Sequence, residues 1–183
     1  DFRKIERGAL QPVYKPGDVA ALLESIVRTF QPEGEAKGVQ VCLEVDGEAR
    51  NKRLLFDADK VEKIVNNLLS NSMKFTPRGG FIKVAMEMVS QHKFTSGNIS
   101  DVYQISVSDT GKGMSEEDQK HVFERFYQSH DEKNAGIGTG IGLNLVYDLV
   151  KLMEGEVLLY SRVGEGTKFT VVLPLFGTPE PVE

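Results

Sequence analysis

The 183-residue chain is 40% hydrophobic and 27% charged, with a net charge of -5 and lysines and arginines scattered along its length. That supplies one well-cored domain and is short for two, and without a basic stripe a nucleic-acid surface is disfavoured. The lone Cys42 rules out a disulfide framework and fits a plain core thiol in a reducing compartment, while no apolar run nears the ~18 residues of a membrane span and the charged start DFRKIERGAL lacks a signal-peptide core, so a cytoplasmic piece without membrane contact of its own is expected.

Asp18 predicts the cap of a helix reaching about Phe30, with Leu22, Leu23, Ile26, Val27 and Phe30 on one face and PEGEAKG as its breaker. VQVCLEV reads as a strand ended by Asp46-Gly47. A longer helix is predicted from Asp57 or Asp59 to before Pro77, Asp59 and Glu62 having capping-box spacing. After PRGG, Ile82, Val84, Met86 and Met88 alternate with polar positions, and SQHKFTSGNIS is a polar tip leading to a second strand, VYQISVSDT. Ser115 and Asp118 cap a short helix that carries Val122, Phe123 and Phe126. Residues 128–137 are polar and aperiodic, which suggests a mobile segment.

GIGTGIGLNLV then opens a helix with Leu143, Val146, Tyr147, Val150 and Met153 inward and Gly155 as its stop. EVLLYSRV and TKFTVVLPL form a last pair of strands around GEG, and GTPEPVE reads as a linker-like tail. The economical fold is α+β: a two-layer sandwich whose mixed, mostly antiparallel sheet is covered on one face by helices.

Four stretches carry chemistry. The glycines of GIGTGIGLNLV let backbone approach a ligand at a helix N-terminus, as an anion site requires. Neither the P-loop nor the dinucleotide spacing fits it, and a flexible connection is the plain alternative. On the long helix, Val61, Ile64, Val65, Leu68, Ser72 and Phe75 share a stripe, and Asn67, Asn71 and Lys74 form a polar ridge at its edge. Those asparagines are either solvated surface or oxygen donors to magnesium, with Lys74 beside them for phosphate. In YQISVSD the strand period puts Asp109 on the inner face, where an acceptor-only carboxylate suits the N6 amine of adenine; a turn aspartate is the alternative. Gly111 and Gly113 would admit a flat base, and Gly164 with Gly166 usually means a hairpin turn.

Taken in order, NNLLSNSMKFTP, DTGKGM, FERFYQ, GTGIGL and GEGTKF resemble the N box, first glycine box, F box and later glycine boxes of the catalytic ATP-binding domain of bacterial sensor histidine kinases, in the GHKL ATPase superfamily. The resemblance covers roughly residues 10–175. It implies a helix-and-sheet sandwich holding ATP beneath a flexible lid, with residues 1–10 as the end of a dimerisation helix and link, 11–176 as the catalytic domain and 177–183 as a tail.

It also implies roles. Asn71 would ligate Mg2+, Asn67 and Lys74 would face the phosphates and act in catalysis, and Phe75 would line the pocket. Asp109 would read the adenine amine, with Gly111 and Gly113 shaping its surroundings. Gly138, Thr139, Gly140, Gly142 and the N–H of Leu143 would cradle the phosphates, and Thr167 would support the base. Asn144 stands where a small residue is expected.

Hydrolysing relatives carry a glutamate base at the position that here is Asn67, and an amide cannot take a proton from water. None of His92, His121 and His130 lies in a His-Glu/Asp helix motif, His92 reading as a loop residue. The resemblance therefore implies a phosphoacceptor histidine on a separate dimerisation domain of a homodimeric parent kinase, with a response-regulator receiver downstream. The competing readings are an ATP-hydrolysing machine, which Asn67 opposes, and a degenerate nucleotide scaffold, which the complete set of box residues opposes.

Overall fold

A computed structural model describes residues 11–124 and 142–182 of the chain. The expectations for Phe126, residues 128–137, His130, Gly138, Thr139 and Gly140 lie outside those residues.

A five-stranded sheet forms one layer. Its strands are β2 (Gln40–Val45), β4 (Phe81–Lys93), β5 (Ile99–Asp109), β6 (Glu156–Arg162) and β7 (Gly166–Pro174), ordered β2-β4-β5-β7-β6. Only β2 and β4 pair in parallel; the other neighbours are antiparallel. Helices α1 (Val19–Lys37), α2 (Ala58–Phe75) and α4 (Gly142–Leu152) form the other layer, and α3 (Glu116–His121) is a short outlier. The expected two-layer architecture holds.

Strand register explains the core. Val84, Val107 and Phe169 make one cross-strand row, Met86, Ile105 and Val171 the next, and all six are buried. The alternate positions, among them Lys83, Ala85, Gln104, Ser106 and Lys168, are half-buried or exposed on the other face. Cys42 pairs in register with Lys83 on that second face and is half-buried, so it is not the core thiol expected from its apolar neighbours. Burial pushes its thiol pKa up.

Several boundaries differ from the sequence expectation. Helix α1 does not stop at PEGEAKG but runs through Pro32 to Lys37. Gly34 lies flat against the start of β2, where a Cβ would come 2.6 Å from the Val39 carbonyl oxygen. Tertiary packing thereby offsets the hydrogen bond that Pro32 cannot donate, and Gly38, at φ 78, ends the helix. Helix α2 is capped by Asp57, whose side chain accepts the Lys60 N–H; Asp59 sits in the first turn and pairs with Lys63 at 2.9 Å.

The β4–β5 hairpin is longer than the alternation implied, and His92 belongs to β4 rather than to a loop. The register shifts between Val89 and His92. On α4, Val146, Leu149 and Val150 are buried, as is Met153 just beyond it, whereas Tyr147 is 38% exposed. The i, i+3, i+4, i+7 stripe runs through Leu149, and Tyr147 stands at its edge against Phe123, 5.4 Å between ring centroids.

A second, small sheet has no counterpart in the sequence expectation. Strand β3 (Lys52–Phe56) lies between β1 (Lys15–Asp18) and β8 (Glu180–Pro181), antiparallel to both. Two residues of the stretch read as a linker-like tail thus pair with Lys52 and Arg53.

Candidate functional site

Helix α2 supplies one wall. Val61, Ile64, Val65, Leu68 and Ser72 are buried as expected, while Asn67 and Asn71 are half-buried and Lys74 is exposed along the adjoining ridge. The Asn67 amide donates to the Lys63 carbonyl at 2.6 Å, so its oxygen is turned elsewhere. That oxygen faces Gly142, where a Cβ would lie 3.0 Å from it. The structure thereby brings Asn67 beside the first turn of α4, which carries half-buried Leu143. At the other end of α2, Lys37 donates its ammonium to the Met73 carbonyl, meeting one of the helix's orphan acceptors.

Asp109 ends the buried face of the sheet. In register it lies between Ile82 and Thr167, one row beyond Val84, Val107 and Phe169, as the strand period required. Its Oδ1 accepts the Gly111 N–H at 2.9 Å and its Oδ2 accepts the Ser72 hydroxyl at 2.8 Å, with a further bond from the Thr167 backbone. Burial raises the carboxyl above the ordinary aspartate range, and the three donors pull it only part of the way back. The Asp109 row therefore holds an anchored, desolvated acceptor.

The segment after Asp109 packs tightly. A Cβ on Gly111 would meet the Phe75 carbonyl oxygen at 2.7 Å, and the Lys112 ammonium lies 4.7 Å from the centroid of the half-buried Phe75 ring. Gly113 has φ 73, and a Cβ there would come 2.0 Å from the Arg162 carbonyl oxygen. Thr167 is buried with its hydroxyl 2.8 Å from that of Ser161. Since Ser161 donates to the Gly166 carbonyl, it accepts from Thr167 and from the Met114 N–H. Gln119 completes the knot by donating to the Met114 and Ser161 carbonyls.

Ser72, Ser161, Gln119 and Lys112 are missing from the site residues expected from the sequence, which places Ser72 only in the buried stripe. Ser72 alone had a legible signal, a hydroxyl within an apolar stripe, which needs a partner when buried. Asn144, unexpectedly large for its place, donates to the Phe123 carbonyl at 2.9 Å and ties α4 to the stretch after α3.

Residues 56–177, which contain all of these groups except Lys37, match the model of a family described as histidine kinase-, DNA gyrase B-, and HSP90-like ATPases. The chain belongs to this ATPase family. In it the matched region is the ATP-binding catalytic domain, and the curated relatives of this HATPase domain are sensor histidine kinases. The autoinducer 2 sensor kinase/phosphatase LuxQ of Vibrio parahaemolyticus is 32% identical over 178 residues, 96% of this chain and 20% of that protein. The histidine protein kinase DivJ of Caulobacter vibrioides is 33% identical over 181 residues, 98% of this chain and 28% of that protein. This HATPase chain thus spans less than a third of the length of either relative. Full-length ShkA, solved in complex with AMPPNP, superposes at a TM-score of 0.83 with 24% identity over 99% of this chain and 35% of that one, which shows the shared fold. Among the described residues no helix is long and apolar enough to cross a membrane.

Proposed function

We propose that this HATPase domain transfers the γ-phosphoryl group of ATP to a histidine on a dimerisation domain outside this chain, within a homodimeric sensor kinase that serves a response-regulator receiver. Residues 1–10 would be the link to that domain, 11–176 the catalytic domain and 177–183 its tail. The parent protein would be cytoplasmic or anchored at a membrane outside this chain.

The observation that carries the reading is Asn67. Its amide is bonded to the Lys63 carbonyl and faces Gly142 from the middle of α2, and the box resemblance puts it where a hydrolysing relative would carry a carboxylate base. An amide has no basic lone pair with which to deprotonate water, so hydrolysis lacks its base and the phosphoryl group waits for another acceptor. The described histidines do not offer one. His92 is paired with Glu156 at 2.9 Å within β4, and His121 lies between Glu117 and Glu124 on the surface of α3.

The site suits Mg-ATP in its donor chemistry. Asn67 and Asn71 offer neutral amide oxygens, hard donors of the kind magnesium takes together with water and phosphate; Asn71 would be its ligand. Magnesium, when bound, neutralises charge on the phosphates. Lys74 adds a mobile positive charge beside them, and Gly142 leaves the room against Asn67 that a side chain would fill. Gly138, Thr139, Gly140, Gly142 and the Leu143 N–H would hold the phosphates, Phe75, Gly111, Gly113 and Thr167 the base, and Asp109 its amine. Orientation and charge neutralisation are the whole of the protein's work in such a transfer.

Incubation with γ-labelled ATP tests this. The chain alone should remain unlabelled and release phosphate slowly, and addition of the cognate dimerisation domain should label that partner on histidine in an acid-labile linkage. Fast phosphate release by the chain alone would favour an ATPase, and tight ATP binding with no transfer to the partner would favour a scaffold.

A further inference from the structure

The Asp57 carboxylate does more than cap α2. It is buried, 3% exposed, together with Lys60, 5% exposed. Oδ1 accepts the Lys60 N–H at 3.1 Å, the ordinary capping bond. Oδ2 is bonded twice, to the Lys60 ammonium at 2.8 Å and to the backbone N–H of Val13 at 2.7 Å. Val13 is 44 residues away in sequence and lies in the leading segment of the domain, residues 11–14, just before β1.

The small sheet explains how the two meet. Strand β1 runs antiparallel to β3 with Lys15 opposite Phe56 and Asp18 opposite Arg53, so the residues just before β1 reach the residue just after β3. That residue is Asp57. The leading segment is held at a second point by the Tyr14 ring, whose centroid is 4.9 Å from that of Phe176, and the departing segment is held on the far edge of β3 by β8 and by the Val182 N–H on the Asn51 carbonyl. Both the leading and the departing segment therefore clasp the strand that delivers α2.

Helix α2 itself runs without a proline from Ala58 to Phe75. A shift at its first turn is carried along a stiff rod of about 1.5 Å per residue, so about 15 Å from Asp57 to Asn67. Its buried face packs against α1, α4 and β5, and the polar ridge adjoins that face.

We infer that Asp57 is a positioning residue of the nucleotide site: through its bond to the Val13 N–H it straps the leading segment to the first turn of α2 and fixes the seating of Asn67 and Asn71. The inference rests on the proposed function for the meaning of those two residues. The strap gives a displacement of the leading segment a direct route to the nucleotide, without passing through the sheet.

The test uses substitutions that divide the strap from the cap. Val13→Pro deletes the N–H donor and fixes φ there, at an exposed side chain that already follows Pro12; Val13→Ala keeps that N–H and is its control. Asp57→Asn keeps an equally good cap but has one acceptor oxygen where Asp57 uses two, and it also strips the buried Lys60 ammonium of its counter-ion, so Val13→Pro is the variant that isolates the strap. The chain is measured by calorimetric titration with Mg-ATP and by amide exchange along α2. Val13→Pro and Asp57→Asn should both weaken ATP binding about three- to tenfold and speed exchange as far as Asn67, with Val13→Ala unchanged. If Val13→Pro exchanges faster only over residues 11–18 and binds ATP like the wild type, or if Asp57→Asn behaves as the wild type in both measurements, Asp57 is a cap and no more. Should the wild type bind no ATP, the proposed function falls, while exchange at Asn67 still decides the strap.

Discussion

Replacing Asp109 with Asn changes one atom of the group that we assign to the base. Its carboxylate accepts from Gly111, Ser72 and the Thr167 backbone. A carboxylate offers about four lone-pair directions, so about one remains for an exocyclic amine. An amide has a single acceptor oxygen. If Gly111 and Thr167 occupy it, the NH2 group faces Ser72 and the ligand, and it meets an amine with a second donor. Losing a bond to a charged acceptor costs about 1.5–3 kcal/mol, which is about 10- to 150-fold in Kd. The effect on folding has the opposite sign. Because burial raises the Asp109 carboxyl above its unfolded value, its stabilising contribution is complete below the unfolded aspartate value and is lost as pH rises through the raised folded value. At neutral pH Asp109→Asn removes that burden, so Tm should stay level or rise while affinity falls. Calorimetric titration with Mg-ATP and Mg-GTP, paired with thermal melts, separates the two effects. An ATP affinity within about twofold of the wild type would mean that the base is read elsewhere.

Gly113→Ala should cost about 3 kcal/mol or more, combining a left-handed backbone with a Cβ 2.0 Å from the Arg162 carbonyl oxygen; at this chain length that lowers Tm by about 6–12 °C in calorimetry. Asn71→Ala should leave Tm unchanged or slightly higher, since Ala is the better helix former, yet reduce phosphoryl transfer to the partner domain by more than about 100-fold, and retained Mg2+ dependence would remove Asn71 from the metal. Burial would raise the Glu156 carboxyl, but bonds from Thr95 and His92 outweigh it and hold it below the ordinary glutamate range. The hairpin tip that it fastens should therefore be secured above the unfolded glutamate value and released as pH falls through the lower folded one. Glu156→Gln should weaken that fastening by about 1–3 kcal/mol at neutral pH, seen as faster exchange of the Thr95 amide with the rest of β4 and β5 protected.

Much of the fold was legible because its elements obey local periods. The stripe of α2, the alternation through β4 and β5, and the glycine-bounded β6–β7 pair each declare which face is buried, and the same period placed Asp109 on the inner face before any partner was known. The order of the boxes pointed to the family in the same local way. What the sequence could not decide are relations between distant segments. Pro32 reads as a helix breaker, and only the packing of Gly34 on β2 lets α1 continue. Strands β1, β3 and β8 are too short to show a period and exist only because they pair with one another. Tyr147 and Leu149 differ in burial through where α4 meets its neighbours, which composition does not encode. Ser72 reaches Asp109 across 37 residues and Val13 reaches Asp57 across 44. A hydrogen bond depends on distance and angle in space, and the chain sets those only once the layers have closed.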